Sequence, residues 1–456
     1  MTNPRAVILL SLCLGPTFPL LGQTCSNTAP TNTLVCVFPQ LFGPGGLTLN
    51  QPHHRAHFQT ASLTTFSPLS TSIGEELSTL PLGSGGSSIT VSFTPEHIPI
   101  PTEDSLGPIL TERAQTIGRN HLNLGVAYQY FDFGGIDGLQ LRRFPAILEH
   151  AVFQVNGMTP DYENDYITTQ NSVGLHLNQN VLYAVYGLTS RLDVSVEIPI
   201  EQVHLHVIST DHIVRTVECE YDASCTDASG AYMGEYHYFG PLPTSHAQAL
   251  AAVNTTFANG GSANGIGDVI LRAKGEILKG EKWAASTGIA IRFPSGDANS
   301  FLGSGTLGVA PFGAITYRGR VSPHFRFGYQ WNGDSILAGD PTGTTGPAKS
   351  SLPPAILYSG GADFRIMDRF SIATDLIGER VLGAERVSLG TYVDYFQNPL
   401  PNIQPYTGDY SSDSIGVGAK VRLARELVLT GNATTRINNG GLVARVVPLV
   451  GLSYAF

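Results

Sequence analysis

From Asn120 onward the chain alternates between apolar and polar residues over long runs. In 414–423 one face reads Ile415, Val417, Ala419, Val421 and Leu423; the other reads Ser414, Gly416, Gly418, Lys420 and Arg422. In 321–332 one face reads Val321, Pro323, Phe325, Phe327, Tyr329 and Trp331, against Ser322, His324, Arg326, Gly328, Gln330 and Asn332. Strand side chains alternate with a period of two, so each run is a strand with one apolar and one polar face. Runs of about ten residues suit an oblique bilayer crossing, whereas soluble strands average about five or six.

The connections alternate too. Tight turns at 189–191, 279–282, 318–320, 367–368 and 424–425 alternate with long polar, Gly-rich stretches at 209–264, 294–304, 334–352 and 382–410. Short turns on one rim and long loops on the other mark an outer-membrane barrel. The pattern predicts an all-β fold: a transmembrane antiparallel up-and-down β-barrel of about twelve strands over 119–456. The strands are expected near 120–132, 168–187, 191–208, 265–278, 283–293, 305–318, 321–333, 354–366, 369–380, 412–423, 426–438 and 441–456. The last ends on an outward row Val446, Pro448, Val450, Leu452, Tyr454, Phe456. Such a terminal Phe resembles the signal by which bacterial barrels are recognised, so lipid and the barrel-assembly machinery are the expected partners.

Residues 24–118 lack this periodicity and are rich in Pro, Ser, Thr and Gly. They read as a low-complexity N-terminal extension, with a short helix expected at 72–80 and a short strand at 89–93. A plug, a periplasmic arm and an unstructured segment all fit. Ahead of it, Arg5 and the apolar, Pro-broken stretch 6–21 read as a signal peptide, residues 1–23, too short to span a membrane as a helix. No later run is long and apolar enough for a membrane helix, which leaves a closed sheet as the way to cross.

Composition agrees. Charged residues make up 14% and glycines number 51; a globular chain carries about 25% charge. The net charge of −10 excludes a nucleic-acid partner. Of the cysteines, Cys13 leaves with the signal. Cys25 with Cys36, and Cys219 with Cys225, are candidate local disulfides in an oxidising compartment.

Two stretches carry a family resemblance: 186–194, Tyr-Gly-Leu-Thr-Ser-Arg-Leu-Asp-Val, and 265–274, Gly-Ile-Gly-Asp-Val-Ile-Leu-Arg-Ala-Lys. They resemble a family of outer-membrane proteins named for the meta-pathway of phenol degradation. The resemblance covers the barrel, 120–456, and implies a channel for small molecules, hydrophobic or aromatic compounds among them. It carries no residue-level site.

A charge on the lipid face costs roughly 2–4 kcal/mol for Lys or Arg near the midplane. The strand charges are therefore expected in the lumen: Asp193 and Glu197; Asp268, Arg272, Lys274 and Glu276; Arg292; His324 and Arg326; Asp363 and Arg365; Asp375 and Glu379; Lys420 and Arg422; Arg436 and Arg445. They could line a wet pore or pair off and fill the barrel.

His204 and His206 share a strand face, and His53, His54 and His57 form a denser group. No Cys or carboxylate stands at ligand spacing beside the second group, so no metal or cofactor is assigned. Gly260-Gly261 and Gly265-x-Gly267 precede an alternating strand rather than a helix, which rules out a phosphate loop. No Gly-x-Ser-x-Gly elbow is present, so no enzyme is expected. The expected function is an outer-membrane channel or transporter. A sealed structural or surface-interaction barrel is the alternative, with a barrel hydrolase behind it.

Overall fold

The computed structural model describes residues 25–50, 54–80, 92–93, 99–100, 106–151, 164–216, 226, 229, 237–343, 347–424 and 426–456. The signal segment, most of the strand expected at 89–93, and Cys219 and Cys225 lie outside them.

Twelve strands form the wall: β1 Leu122–Ile136, β2 Tyr166–Thr189, β3 Leu192–Val214, β4 Val269–Lys279, β5 Trp283–Phe293, β6 Gly308–Tyr317, β7 Val321–Asn332, β8 Ala355–Met367, β9 Phe370–Val393, β10 Pro399–Arg422, β11 Leu427–Arg436 and β12 Val446–Ala455. Each pairs antiparallel with the next. β12 returns to β1, with Leu449 opposite Gln129 and Tyr454 opposite Leu124, and the sheet closes. Closure leaves no unpaired edge for lipid to meet, the condition for a sheet to cross a bilayer. No helix among the described residues is long and apolar enough to cross.

The alternation sorts the residues as the sequence requires. On β7, Val321, Phe325, Phe327 and Trp331 are exposed on the outside, while Ser322 and His324 are buried. On β10 and β12, Ile415, Val417, Val450, Leu452 and Phe456 face out, while Lys420, Leu449 and Ser453 face in. The outward rows join into one apolar belt, a surface suited to lipid and not to water.

Strand length is where the expectation falls short. β2, β9 and β10 have 24 residues each. At about 3.3 Å per residue such a strand runs to roughly 80 Å, more than twice the hydrocarbon thickness. The stretch 382–410, read as a loop, is the paired upper half of β9 and β10. Likewise 209–264 supplies the end of β3 and a strand Asn254–Ile266 that extends β4 along it. A further strand, Phe144–Glu149, joins the upper half of β2. Polar, Gly-rich strands above the membrane have no lipid face to fill, so their sequence reads as loop.

Between these raised walls sits the first part of the N-terminal extension. Its helix α1 spans Gln59–Leu77, longer than the 72–80 expected and starting well before it. Phe66, Leu69 and Ile73 form its apolar row, and Phe58, Phe66 and Ile73 are fully buried. Pro68 inside the helix removes one backbone donor. Packing holds the helix regardless: it lies against Phe144–Glu149 and the upper halves of β9 and β10, in one continuous core that also takes in Phe38, Val173, Val203, Val387 and Ile403. Cys25 and Cys36 lie with their sulfurs 2.08 Å apart at the start of this cap.

Candidate functional site

The lumen is occupied at both ends. At the short-turn end, residues 106–117 cross the bore and meet the wall group by group. The Leu106 and Ala114 N–H groups donate to the hydroxyls of Ser371 and Thr316, at 2.9 and 3.0 Å. Asp375 accepts from the N–H groups of Ile109 and Leu110 at 3.2 and 3.1 Å, and from the Thr111 hydroxyl at 3.0 Å. Asp193 accepts from the Ile117 N–H at 2.9 Å. Lys420 donates to the Pro108 carbonyl at 2.6 Å, and Lys274 to the Arg113 carbonyl at 3.0 Å. An extended segment inside a barrel cannot satisfy its own backbone, and the wall side chains do it here.

Two charges of the segment complete the lock. Arg113, 1% exposed, pairs with fully buried Asp363 at 2.5 Å, and His324 bridges Asp363 and Asp375 at 3.4 and 3.0 Å. Glu112 lies among Lys274, Arg326 and Arg272, at 3.3, 3.7 and 3.9 Å, and Arg272 also reaches Glu197 at 3.0 Å. The wall makes room by omitting side chains. A Cβ on Gly418 or Gly416 would lie 2.5 Å from Ile109 or 2.6 Å from Leu110. Where the segment leaves the bore, a Cβ on Gly187 would meet the Gly118 carbonyl oxygen at 1.7 Å. Gly187 belongs to the 186–194 stretch that carries the family resemblance.

Above the segment lies a cavity of about 270 Å³. Leu77 to Leu80, at the end of α1, roof it, and Leu110 to Glu112 floor it. Phe131, Phe133, Phe301, Leu302 and Val447 give it apolar walls, interrupted by Glu201, Arg292 and Glu379. Arg292 donates to the Ser78 carbonyl at 2.6 Å and to Asn332 at 2.8 Å, and so ties roof to wall. Asp268 accepts from the Ser304 N–H at 2.8 Å and pins the loop after β5.

The structure places the expected lumen charges unevenly. Asp193, Glu197, Lys274, Glu276, Arg272, His324, Arg326, Asp363, Asp375 and Lys420 converge on the crossing segment or its ion-pair network. Asp268, Arg292, Glu379 and Arg436 belong to the cavity above. Arg365 and Arg422 are half-buried near the short turns. Arg445 departs from the expectation: it is exposed at the break between Leu442–Ala444 and β12, where its carbonyl accepts from the Arg436 N–H. The broken register there releases its side chain from the inward row.

Glu112 and Arg113 went unselected in the sequence, because nothing local distinguishes them from ordinary extension charges. The histidines are the larger omission. His54 and His57 meet His150, just after Phe144–Glu149, and His237 from the long loop; one ring nitrogen of each lies within 4.8 Å of the others. His57 Nδ1 is 2.6 Å from His150 Nε2, which is 3.0 Å from His237 Nε2. His54 Nδ1 is 3.3 Å from His57 Nδ1. On its far side, His237 Nδ1 meets Asp165 at 2.7 Å, and Asp165 accepts from the Thr216 N–H at 2.7 Å. Burial, with His57 adding to it, holds the His237 imidazole down at about 3; burial and the neighbouring rings do the same for His150. Burial raises the Asp165 carboxyl to about 6. His204 and His206 stay apart from this group, and His53 lies outside the described residues. The expectation of no ligand set rested on neighbours in sequence, whereas the fourfold set is assembled from three distant segments.

Residues 239–350, from within the long loop to the connection after β7, match the family described as "Putative MetA-pathway of phenol degradation". Among solved structures, the chain is similar to an outer membrane channel from Pseudomonas putida F1, at 13% identity and a TM-score of 0.40, over 75% of this chain and 98% of that one. It is also similar to a Pseudomonas aeruginosa FadL homologue, at 7% identity and a TM-score of 0.27, over 74% and 89% of the two chains. A third is the CymD monoaromatic hydrocarbon channel, at 11% identity and a TM-score of 0.25, over 74% and 89%. No curated protein matches the chain.

Proposed function

We propose that the protein is an outer-membrane channel or transporter that carries small apolar molecules, aromatic ones included, through a lumen closed by its own N-terminal extension. The observation that carries this reading is the cavity between the two closures. Its volume of about 270 Å³ is near the lower end of small-molecule sites and above the roughly 150 Å³ that holds a single benzene ring. Phe131, Phe133 and Phe301 offer ring faces, while Arg292, Glu201 and Glu379 offer polar anchors for a hydroxyl. Part of the lining, from Asp268 to Gln330, falls within 239–350, the stretch similar to the phenol-degradation family.

Transport requires the crossing segment to move, because 106–117 bars the way to the short-turn rim. A second reading, a sealed barrel, is favoured by the buried Arg113–Asp363 pair, which a moving plug has to break. Single-channel conductance in a planar bilayer separates the two. The test compares the mature chain with a version lacking residues 24–118, after heat-modifiable migration shows that both are folded. The channel reading expects steps from the truncated barrel and rare or no steps from the intact one. Silence from both folded proteins would favour the sealed barrel.

A further inference from the structure

We infer that His54, His57, His150 and His237 form a binding site for one divalent transition-metal ion of the zinc class, which staples the N-terminal cap to the outer rim of the barrel. All four donor nitrogens lie within 4.8 Å of one another, and nothing in the transport reading needs them there. Tetrahedral zinc with ligand bonds of about 2.0–2.1 Å sets its nitrogens roughly 3.3–3.4 Å apart. The contacts of 2.6, 3.0 and 3.3 Å along the chain of rings already approach that spacing.

The arrangement is hard to account for by hydrogen bonding alone. His150 Nε2 faces both His57 Nδ1 and His237 Nε2. A neutral ring nitrogen offers either one proton or one lone pair, so it cannot serve two such neighbours well. The Asp165 carboxylate on Nδ1 of His237 keeps a proton there and turns the lone pair of Nε2 toward the other rings. A central cation resolves the convergence, since every lone pair can then point at it. A carboxylate behind a ligand histidine, itself fixed by Thr216, is the outer-shell support that metal-binding imidazoles use. Arg215 donates to the carbonyls of His237 and Ala249.

The donor set fixes the metal class. Four imidazoles suit zinc, copper, cobalt or nickel and not calcium or magnesium, which need oxygen ligands. Four protein ligands leave no open position, so the role is structural rather than catalytic. His57, His150 and His237 are buried and Phe58 packs edge-on against two of the rings, while half-buried His54 leaves an entry side. The ligands lie 93 and 87 residues apart in sequence. One ion would therefore join the start of α1, the strand beside β2 and the long loop.

The test uses the full mature chain, without a histidine tag, folded in detergent, stripped with a chelator and titrated with zinc alone. The expected result is one tightly held ion per chain, and cobalt in its place giving the intense visible absorption of a tetrahedral centre. His150→Ala with His237→Ala should abolish stoichiometric binding, and Asp165→Asn should weaken it about 10–100-fold. His204→Ala with His206→Ala should leave it unchanged. A folded wild-type chain that takes up no zinc, or binding that survives the His150/His237 double change, would overturn the site. The cobalt spectrum of the wild type decides the matter even if the double variant fails to fold. None of these readouts depends on conductance.

Discussion

The two closures of the lumen belong to one N-terminal extension and are held in opposite ways. Residues 106–117 are pinned by charge: Arg113 on Asp363, Glu112 among Lys274, Arg272 and Arg326, and backbone amides on Asp375 and Asp193. The cap, residues 25–50 and 54–80, is held mainly by burial, with Phe38, Phe58, Phe66, Leu69 and Ile73 in a shared core with the raised strands. The difference follows from what the wall offers. Inside the membrane the outward faces must be apolar, so polarity collects in the lumen, and a segment there has to be polar to match. Above the membrane, β2, β3, β9 and β10 are free to turn apolar faces inward and build an ordinary core. A polar lock is specific and brittle, because losing one partner strands the other; an apolar core yields by increments.

The contrast is sharpest at Asp363. Asp363→Ala leaves Arg113 buried without its carboxylate, and removing one partner of such a pair costs about 3–5 kcal/mol. We expect 106–117 to undock while the cap stays in place, read as protease cleavage within 106–117 and as new conductance steps. If the cap loosened equally, the two closures would be a single cooperative unit. Next is Leu69→Ala, expected to cost about 2–5 kcal/mol from the cap core. Hydrogen exchange should quicken over 59–77 and remain slow over 106–117.

Smallest over any single pH unit is a pH dependence. Burial pushes the Glu75 carboxyl up to about 8 from an ordinary 4.5. Glu385 faces it, donating its backbone N–H while its own charge opposes ionisation, and Tyr410 and Glu76 lie close by. A raised folded-state value means that this group's contribution to docking is complete below about 4.5 and is lost as pH climbs from there through 8. One proton limits the change to about 1.4 kcal/mol per pH unit. Exchange over 59–77 should thus quicken with pH beyond its intrinsic base catalysis, and Glu75→Gln should flatten that excess. An unchanged slope in Glu75→Gln would mean another group sets it.

Most of the barrel was legible because lipid enforces a strict rule. Val321, Phe325 and Phe327 against Ser322, His324 and Arg326 admit one orientation only. The short turns were equally clear, since each interrupts the alternation within a few residues. Legibility ended where the lipid ends. The upper halves of β9 and β10 carry Pro399, Pro401, Pro405 and several glycines with no face in lipid, and read as loop. The extension was opaque for another reason. α1 is buried on nearly all sides, so it lacks the polar stripe that marks an amphipathic helix, and Ser62, Ser67, Ser70 and Ser72 mask it further. Alternation let the lumen charges be expected as a class, but not their partners Glu112 and Arg113, because pairing across 250 residues leaves no local trace. The histidine cluster was missed on the same ground.

The seam between β12 and β1 carries a consequence for the order of events in folding. Residue 117 is bound inside the bore, and five residues later Leu122 begins the first wall strand. The chain therefore passes from interior to wall beside the pairing that joins the two ends of the sheet, the contact of greatest sequence separation and the slowest to find. A barrel that closed first would have to admit a folded, charged strap through its narrow rim. A barrel that closes around the strap needs only a side entrance that is still open. Inward-facing Asp375, Lys420 and Asp193 would then be paired as the wall curls, and the strap becomes a mandrel on which the cylinder is wound.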